Sequence, residues 1–127
     1  MARTASQMVA EAKQQVENLT VEQVAAEIAT NDLLLVDIRE PQERRDKGAI
    51  PGAVSAPRGM LEFWADPSTP YHREEFDPNR RTILYCASGG RSALAARTLG
   101  ELGYRDVAHL DGGFTAWQQA GQPVVQE

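Results

Sequence analysis

An α/β fold is predicted for this chain, with a mostly parallel central sheet flanked by helices and an extra N-terminal helix. Three features predict it. Short apolar runs rich in β formers, at 33–36, 53–56, 82–86 and 107–110, alternate with segments of helical periodicity. The Leu33-Leu34-Leu35-Val36 run lacks polar alternation, the pattern of a strand covered on both faces. A 127-residue chain that is 42% hydrophobic and 24% charged has an ordinary globular composition and supports one domain around one core.

Residues 1–18 predict an amphipathic helix, because Ala5, Met8, Val9, Ala12, Val16 and Leu19 recur at steps of three and four. Its apolar stripe either packs on the domain or meets a partner. Thr20 is an N-cap with Gln23 at the capping-box position, and Val21, Val24, Ala25 and Ile28 form the next apolar face. The 33–36 strand ends at Asp37-Ile38-Arg39. Pro41 suits the first turn of a short helix closing near Gly48. Ala53-Val54-Ser55-Ala56 is a short, weak strand, and Met60 to Trp64 makes a helical turn or two. Residues 66–81, rich in Pro, Asp, Asn and charge, are expected as a surface excursion. A strand at 82–86 leads to a helix from about Ser92 to Leu102, stopped by Gly103. The strand Val107-Ala108-His109-Leu110 and a last helix opened by Asp111-Gly112-Gly113 follow. That helix carries Phe114 and Trp117 as core and stops by Gly121. The expected division is a helix at 1–19, a domain at 20–122 and a tail at 123–127.

Cys86 is the only cysteine, at the end of a strand and before the small residues Ala87-Ser88-Gly89-Gly90 and then Arg91-Ser92. Ligands of parallel sheets bind beyond the carboxyl ends of the strands, and Cys86 falls there. A tight loop can turn several N–H groups inward as an anion nest, and a helix N-terminus adds partial positive charge. Arg91 contributes a permanent cation. These surroundings favour a thiolate and would hold an oxyanion or persulfide. Without the loop and helix, a lone cysteine here would pass for buried core.

Composition excludes several classes. The formal net charge of −5 argues against general nucleic-acid binding. One cysteine excludes an intrachain disulfide, and His72 and His109 lack metal-ligand spacing, so no metal is expected. No stretch approaches transmembrane length. The N-terminus lacks the apolar region of a secretory signal, so no membrane association and a cytoplasmic location are expected.

The chain resembles the rhodanese family of single-cysteine sulfurtransferases in four segments. These are Val36-Asp37-Ile38-Arg39-Glu40, Gly48-Ala49-Ile50-Pro51-Gly52-Ala53, Cys86 through Ser92, and Leu110-Asp111-Gly112-Gly113 with Trp117. They occur in the family's order and separations, across roughly residues 20–122. The resemblance implies a rhodanese-like parallel sheet flanked by helices. It implies sulfur transfer through a cysteine persulfide, without metal or organic cofactor. Ala49 stands where the family often has His, a residue that shapes the domain rather than reacts. The excursion at 57–81, containing Arg58 and Trp64, is longer than in minimal members and offers a wall for the substrate cleft.

On this resemblance Cys86 is the nucleophile and sulfur carrier, and the loop Ala87, Ser88, Gly89, Gly90, Arg91 and Ser92 binds the anionic group. Ser88 and Ser92 either donate hydroxyl hydrogens or simply fit the turn. Arg91 either binds an anionic donor or pairs with Asp37 to order the loop, the pair being favoured. Arg39 is expected in a surface or helix-capping ion pair rather than on substrate, and Arg58 is a candidate anion contact. Neither histidine looks catalytic. The donor would be thiosulfate or a thiol persulfide, the acceptor a thiol or cyanide-like nucleophile, with a protein persulfide partner as a further option. One alternative is a cysteine-dependent phosphatase or arsenate reductase. Four residues separate Cys86 from Arg91, one fewer than is typical there, and the shorter ring suits a single sulfur. The other alternative is a rhodanese-like binding or persulfide-carrier module.

Overall fold

Most elements form where local signals ask for them, and their order builds the sheet. A computed structural model describes residues 2–126. In chain order it has α1 (Ala5–Gln15), β1 (Glu17–Leu19), α2 (Val21–Thr30), β2 (Leu34–Asp37), α3 (Pro41–Lys47) and β3 (Val54–Ser55). A 3-10 turn (Arg58–Met60), α4 (Leu61–Ala65), β4 (Thr82–Tyr85), α5 (Gly90–Glu101), β5 (Val107–Leu110) and α6 (Gly113–Gln119) follow. The strands form one parallel sheet in the order β1-β5-β4-β2-β3. β4 is central, so whatever follows its last residue lies at the middle of the sheet's carboxyl edge.

The capping box at α2 is present: Gln23 N–H donates to Thr20 Oγ1 at 3.1 Å, and Thr20 N–H to Gln23 Oε1 at 2.8 Å. Pro41 opens α3 and Gly48 closes it. α5 begins at Gly90, two residues earlier than expected, because Gly89 adopts φ 107 and turns the chain at once. Such a positive φ suits glycine and strains other residues.

The predicted N-terminal helix to residue 18 is corrected. α1 stops at Gln15, Val16 is extended, and Glu17–Leu19 pairs with β5 as an edge strand. The Asn18 side-chain amide donates to the carbonyls of Lys13 and Val16, at 2.8 and 3.1 Å, satisfying acceptors at the helix end. Leu19 therefore joins the core with Val24, Ile83 and Leu110 rather than extending the stripe of α1. Within that stripe Ala12 is buried, Met8 and Val9 are half-buried, and Ala5 is exposed. α1 packs on α5.

Strand alternation makes two apolar layers. Leu34, Val36, Ile38, Leu84 and Cys86 pack with Leu61, Ala95 and Leu99 of α4 and α5. Leu35, Ile83, Tyr85, Ala108 and Leu110 pack with Val24, Phe114 and Trp117 of α2 and α6. Burying side chains of this size contributes roughly 1.5–3 kcal/mol each. The excursion at 66–81 is not wholly superficial. Phe76 is buried in the first layer, and the Arg73 guanidinium lies 3.5 Å from the Trp64 ring centroid. No helix among the described residues is long and apolar enough to cross a membrane.

Candidate active site

Cys86 follows directly on β4 and is buried, with 1% of its surface exposed. Gly89 N–H donates to its sulfur at 3.2 Å, and the sulfur lies 3.6 Å from Ser92 Oγ on the first turn of α5. The loop is pinned from the far side by α6. Phe114 N–H donates to Cys86 O at 2.8 Å and Thr115 N–H to Ala87 O at 3.0 Å. This approach requires Gly113, at φ 62, since a Cβ there would lie 2.5 Å from Ala87 O and 2.6 Å from Cys86 O. Ser88 is exposed and Ala87 half-buried. Ala87 lines a cleft of about 320 Å³ with Glu43, Lys47, Phe114, Thr115 and Gln118.

Arg91 does not pair with Asp37. Its two terminal nitrogens bind Glu43 of α3, Nη1 to Oε1 at 2.9 Å and Nη2 to Oε2 at 3.0 Å. Glu43 also accepts from Glu40 N–H at 3.0 Å. Arg91 chiefly, with that N–H helping against partial burial, brings the Glu43 carboxyl down to about 2. The bond to Glu43 in turn raises the Arg91 pKa, and Cys86 adds to the rise.

Asp37 has other work. Arg39 binds it with Nε to Oδ1 at 3.0 Å and Nη2 to Oδ2 at 2.8 Å, and Arg44 reaches Oδ2 at 3.0 Å. Tyr85 donates its hydroxyl to the same Oδ2 at 3.0 Å and accepts from Ile50 N–H at 3.2 Å. Arg39 is therefore not at the surface; its ion pair is buried, and it also reaches the C-cap carbonyl of α3. It is 1% exposed, donates to Gly48 O at 2.7 Å and lies 4.3 Å from the Phe114 ring centroid. This cluster ties β2, α3 and β4 together beneath the loop. Arg58 is held by Glu62 at 2.7 Å and Thr98 at 3.4 Å.

One residue that looked idle stands behind the sulfur. His109 is fully buried, with Nδ1 2.8 Å from Ser92 Oγ and Nε2 2.7 Å from Asn18 Oδ1. Burial chiefly, against the pull of Asp111, brings its pKa down to about 4. The signal available was a histidine inside an apolar strand, which must find partners if it is buried. Among the described residues no group of three or more His, Cys, Asp or Glu is arranged to hold a metal ion.

The family pattern of the rhodanese-like domain matches residues 20–120. A sulfurtransferase of Allochromatium vinosum is 38% identical over 96 residues, 76% of this chain and 81% of that protein. The thiosulfate sulfurtransferase GlpE of Pseudoalteromonas translucida is 31% identical over 109 residues, 86% of this chain and 95% of that one. Other relatives are longer, the match spanning 48% of an uncharacterized Synechocystis protein. A solved structure from Rhodopseudomonas palustris, described as of unknown function and a possible tyrosine phosphatase, superposes with TM-score 0.93. It is 43% identical, and the match covers 98% of this chain and 96% of that one. The chain belongs to the rhodanese-like family, and sulfurtransferases are among its relatives at modest identity.

Proposed function

We propose that the protein transfers sulfane sulfur through a persulfide on Cys86. The observation that carries this reading is the Cys86 sulfur itself. It follows directly on the central strand, receives Gly89 N–H at 3.2 Å, and heads a loop of four residues closed by Arg91. In the first step the Cys86 thiolate attacks the outer sulfur of thiosulfate or of a thiol persulfide. The donor's S–S bond breaks, and its electron pair leaves with sulfite or the thiolate. In the second step a cyanide-like or thiol acceptor attacks the outer sulfur of the Cys86 persulfide, and the thiolate returns. Electrons balance over the two displacements with no outside oxidant. Backbone N–H groups of the loop stabilise the anion in both states.

The name of the sulfurtransferase relative supports the reaction class, and that of GlpE supports thiosulfate as one donor. A sulfur-carrier relative in Bacillus subtilis supports handing the persulfide to a protein partner. The description of the Rhodopseudomonas structure raises phosphate-ester hydrolysis as the rival. The short loop argues against it, because a phosphoryl group needs N–H donors around three oxygens. The test is a matched assay with thiosulfate plus cyanide and with an aryl phosphate. Thiocyanate is expected from the former, falling to background in Cys86→Ser, with no phosphate released from the latter. Cys86-dependent phosphate release without sulfur transfer would reverse the assignment.

A further inference from the structure

The hydrogen bonds behind Cys86 have a direction that can be worked out from the outside in. The Asn18 side-chain nitrogen faces two backbone carbonyls, Lys13 O at 2.8 Å and Val16 O at 3.1 Å, so it is the donor end of the amide. Asn18 Oδ1 is then an acceptor, and the 2.7 Å contact requires the proton on His109 Nε2. Buried and neutral, the ring has a bare Nδ1 that accepts the Ser92 hydroxyl proton across 2.8 Å. Ser92 has one hydrogen. While His109 holds it, Ser92 offers only a lone pair to the Cys86 sulfur at 3.6 Å, and the thiol donates to Ser92.

We propose that Asn18 and His109 are positioning residues for Cys86, keeping the Ser92 hydroxyl proton on the His109 side so that Ser92 meets the sulfur as an acceptor. The proposal rests on Cys86 being the reacting sulfur of the function above. His109 and the Cys86 thiolate compete for one proton, and the resting protein gives it to His109. A thiolate or persulfide anion gains Ser92 as a donor only when the hydroxyl turns away from the ring, or when Nδ1 itself becomes protonated. Asn18 lies outside residues 20–120 that match the family, and its amide is anchored by the end of α1. The N-terminal segment thereby reaches the sulfur through three side chains. The register makes this possible: Asn18 pairs with His109 across β1 and β5, and His109 stands on the α5 side of the sheet. The charged groups acting on the ring are Asp111, which favours the imidazolium, and Lys13, which opposes it; they pair at 2.9 Å. At the sulfur end the neighbouring charge is Arg91, bound to Glu43.

The test reads Cys86 alkylation by iodoacetamide and needs no sulfur transfer. His109→Leu removes the competitor, so alkylation near neutral pH should rise at least about threefold. Adding Ser92→Ala should abolish that rise, because the hydroxyl delivers it. Asn18→Asp keeps an acceptor towards Nε2, gives up the two donors to the end of α1, and should favour the imidazolium. Its alkylation should exceed wild type at about pH 6 and converge with it by about pH 8, where the ring is neutral again. Nitrogen-15 NMR of the wild type should find His109 neutral and protonated on Nε2. An unchanged rate in both His109→Leu and Asn18→Asp, a rise that survives Ser92→Ala, or a ring protonated on Nδ1 would each overturn the proposal. A wild-type protein that accepts no sulfur would sink the sulfurtransferase reading, while these rates and spectra would still decide the hydrogen-bond chain.

Discussion

At the scale of single residues, the cation beside Cys86 is already engaged. Arg91 has one face in solvent and both terminal nitrogens on Glu43, so the pair brings little net charge to the mouth of the loop. Half-exposed pairs of this kind contribute about 0.2–1 kcal/mol to stability. Their effect on an incoming anion can be larger, because Glu43 repels what Arg91 attracts. Glu43→Gln keeps an acceptor for Glu40 N–H and removes the charge. It should leave stability within about 1 kcal/mol. It should lower the KM for thiosulfate several-fold and leave that for an uncharged sulfane-sulfur donor, such as an organic trisulfide, unchanged. Steady-state kinetics with the two donors checks this; a KM for thiosulfate that is unchanged or higher would mean Glu43 does not oppose the donor. The sequence displayed Cys86 and its loop plainly, since strand, small residues and helix are contiguous. It could not display the partner of Arg91. Asp37 and Glu43 are both acidic residues near the end of β2, and only the course of α3 brings Glu43 rather than Asp37 to the loop.

At the scale of elements, the loop after Cys86 is held between two helices. α5 begins within it, and the first turn of α6 donates to the carbonyls of Cys86 and Ala87. Gly113 makes the second contact possible, and Gly113→Ala would force a Cβ against two backbone oxygens at 2.5 and 2.6 Å. Gly121 has φ 75, and a Cβ added to it would meet nothing within 4 Å, so Gly121→Ala measures the cost of the positive φ by itself. Urea denaturation should find Gly121→Ala destabilised by about 1 kcal/mol and Gly113→Ala by at least about 1–2 kcal/mol more. Only Gly113→Ala should also slow sulfur transfer. Equal losses in the two variants would mean the α6 contact does not shape the loop. The caps of α2 and α3 were legible because Thr20 with Gln23, and Pro41 with Gly48, act within a few residues. β1 was not, because Glu17-Asn18-Leu19 has no strand pattern of its own. It becomes a strand by lying along β5, and the apolar spacing of Val16 and Leu19 imitated a longer helix.

At the scale of the whole molecule, the parallel sheet brings the residue that follows its middle strand to the centre of its carboxyl edge, with apolar layers on both sides. This arrangement was legible from the continuous apolar runs at 33–36 and 82–86 and the helical segments between them. The buried polar groups were not. Asp37 binds Arg39 and Arg44 close by in the chain but also Tyr85 from β4, and His109 binds Ser92 and Asn18 on other elements; no local spacing announces these long-range pairings. Removing one member of the first set leaves a buried charge uncompensated, which is costly; the cluster therefore fixes the platform under the loop rather than the chemistry within it. The chemistry depends on whether Cys86 carries sulfur. Intact-protein mass spectrometry after incubation with thiosulfate or a small-molecule persulfide measures this directly. One added sulfur atom is expected on the wild type, located at Cys86 by fragmentation, removed by cyanide and absent from Cys86→Ser. A wild-type mass unchanged with both donors, in folded protein whose Cys86 still alkylates, would contradict the account.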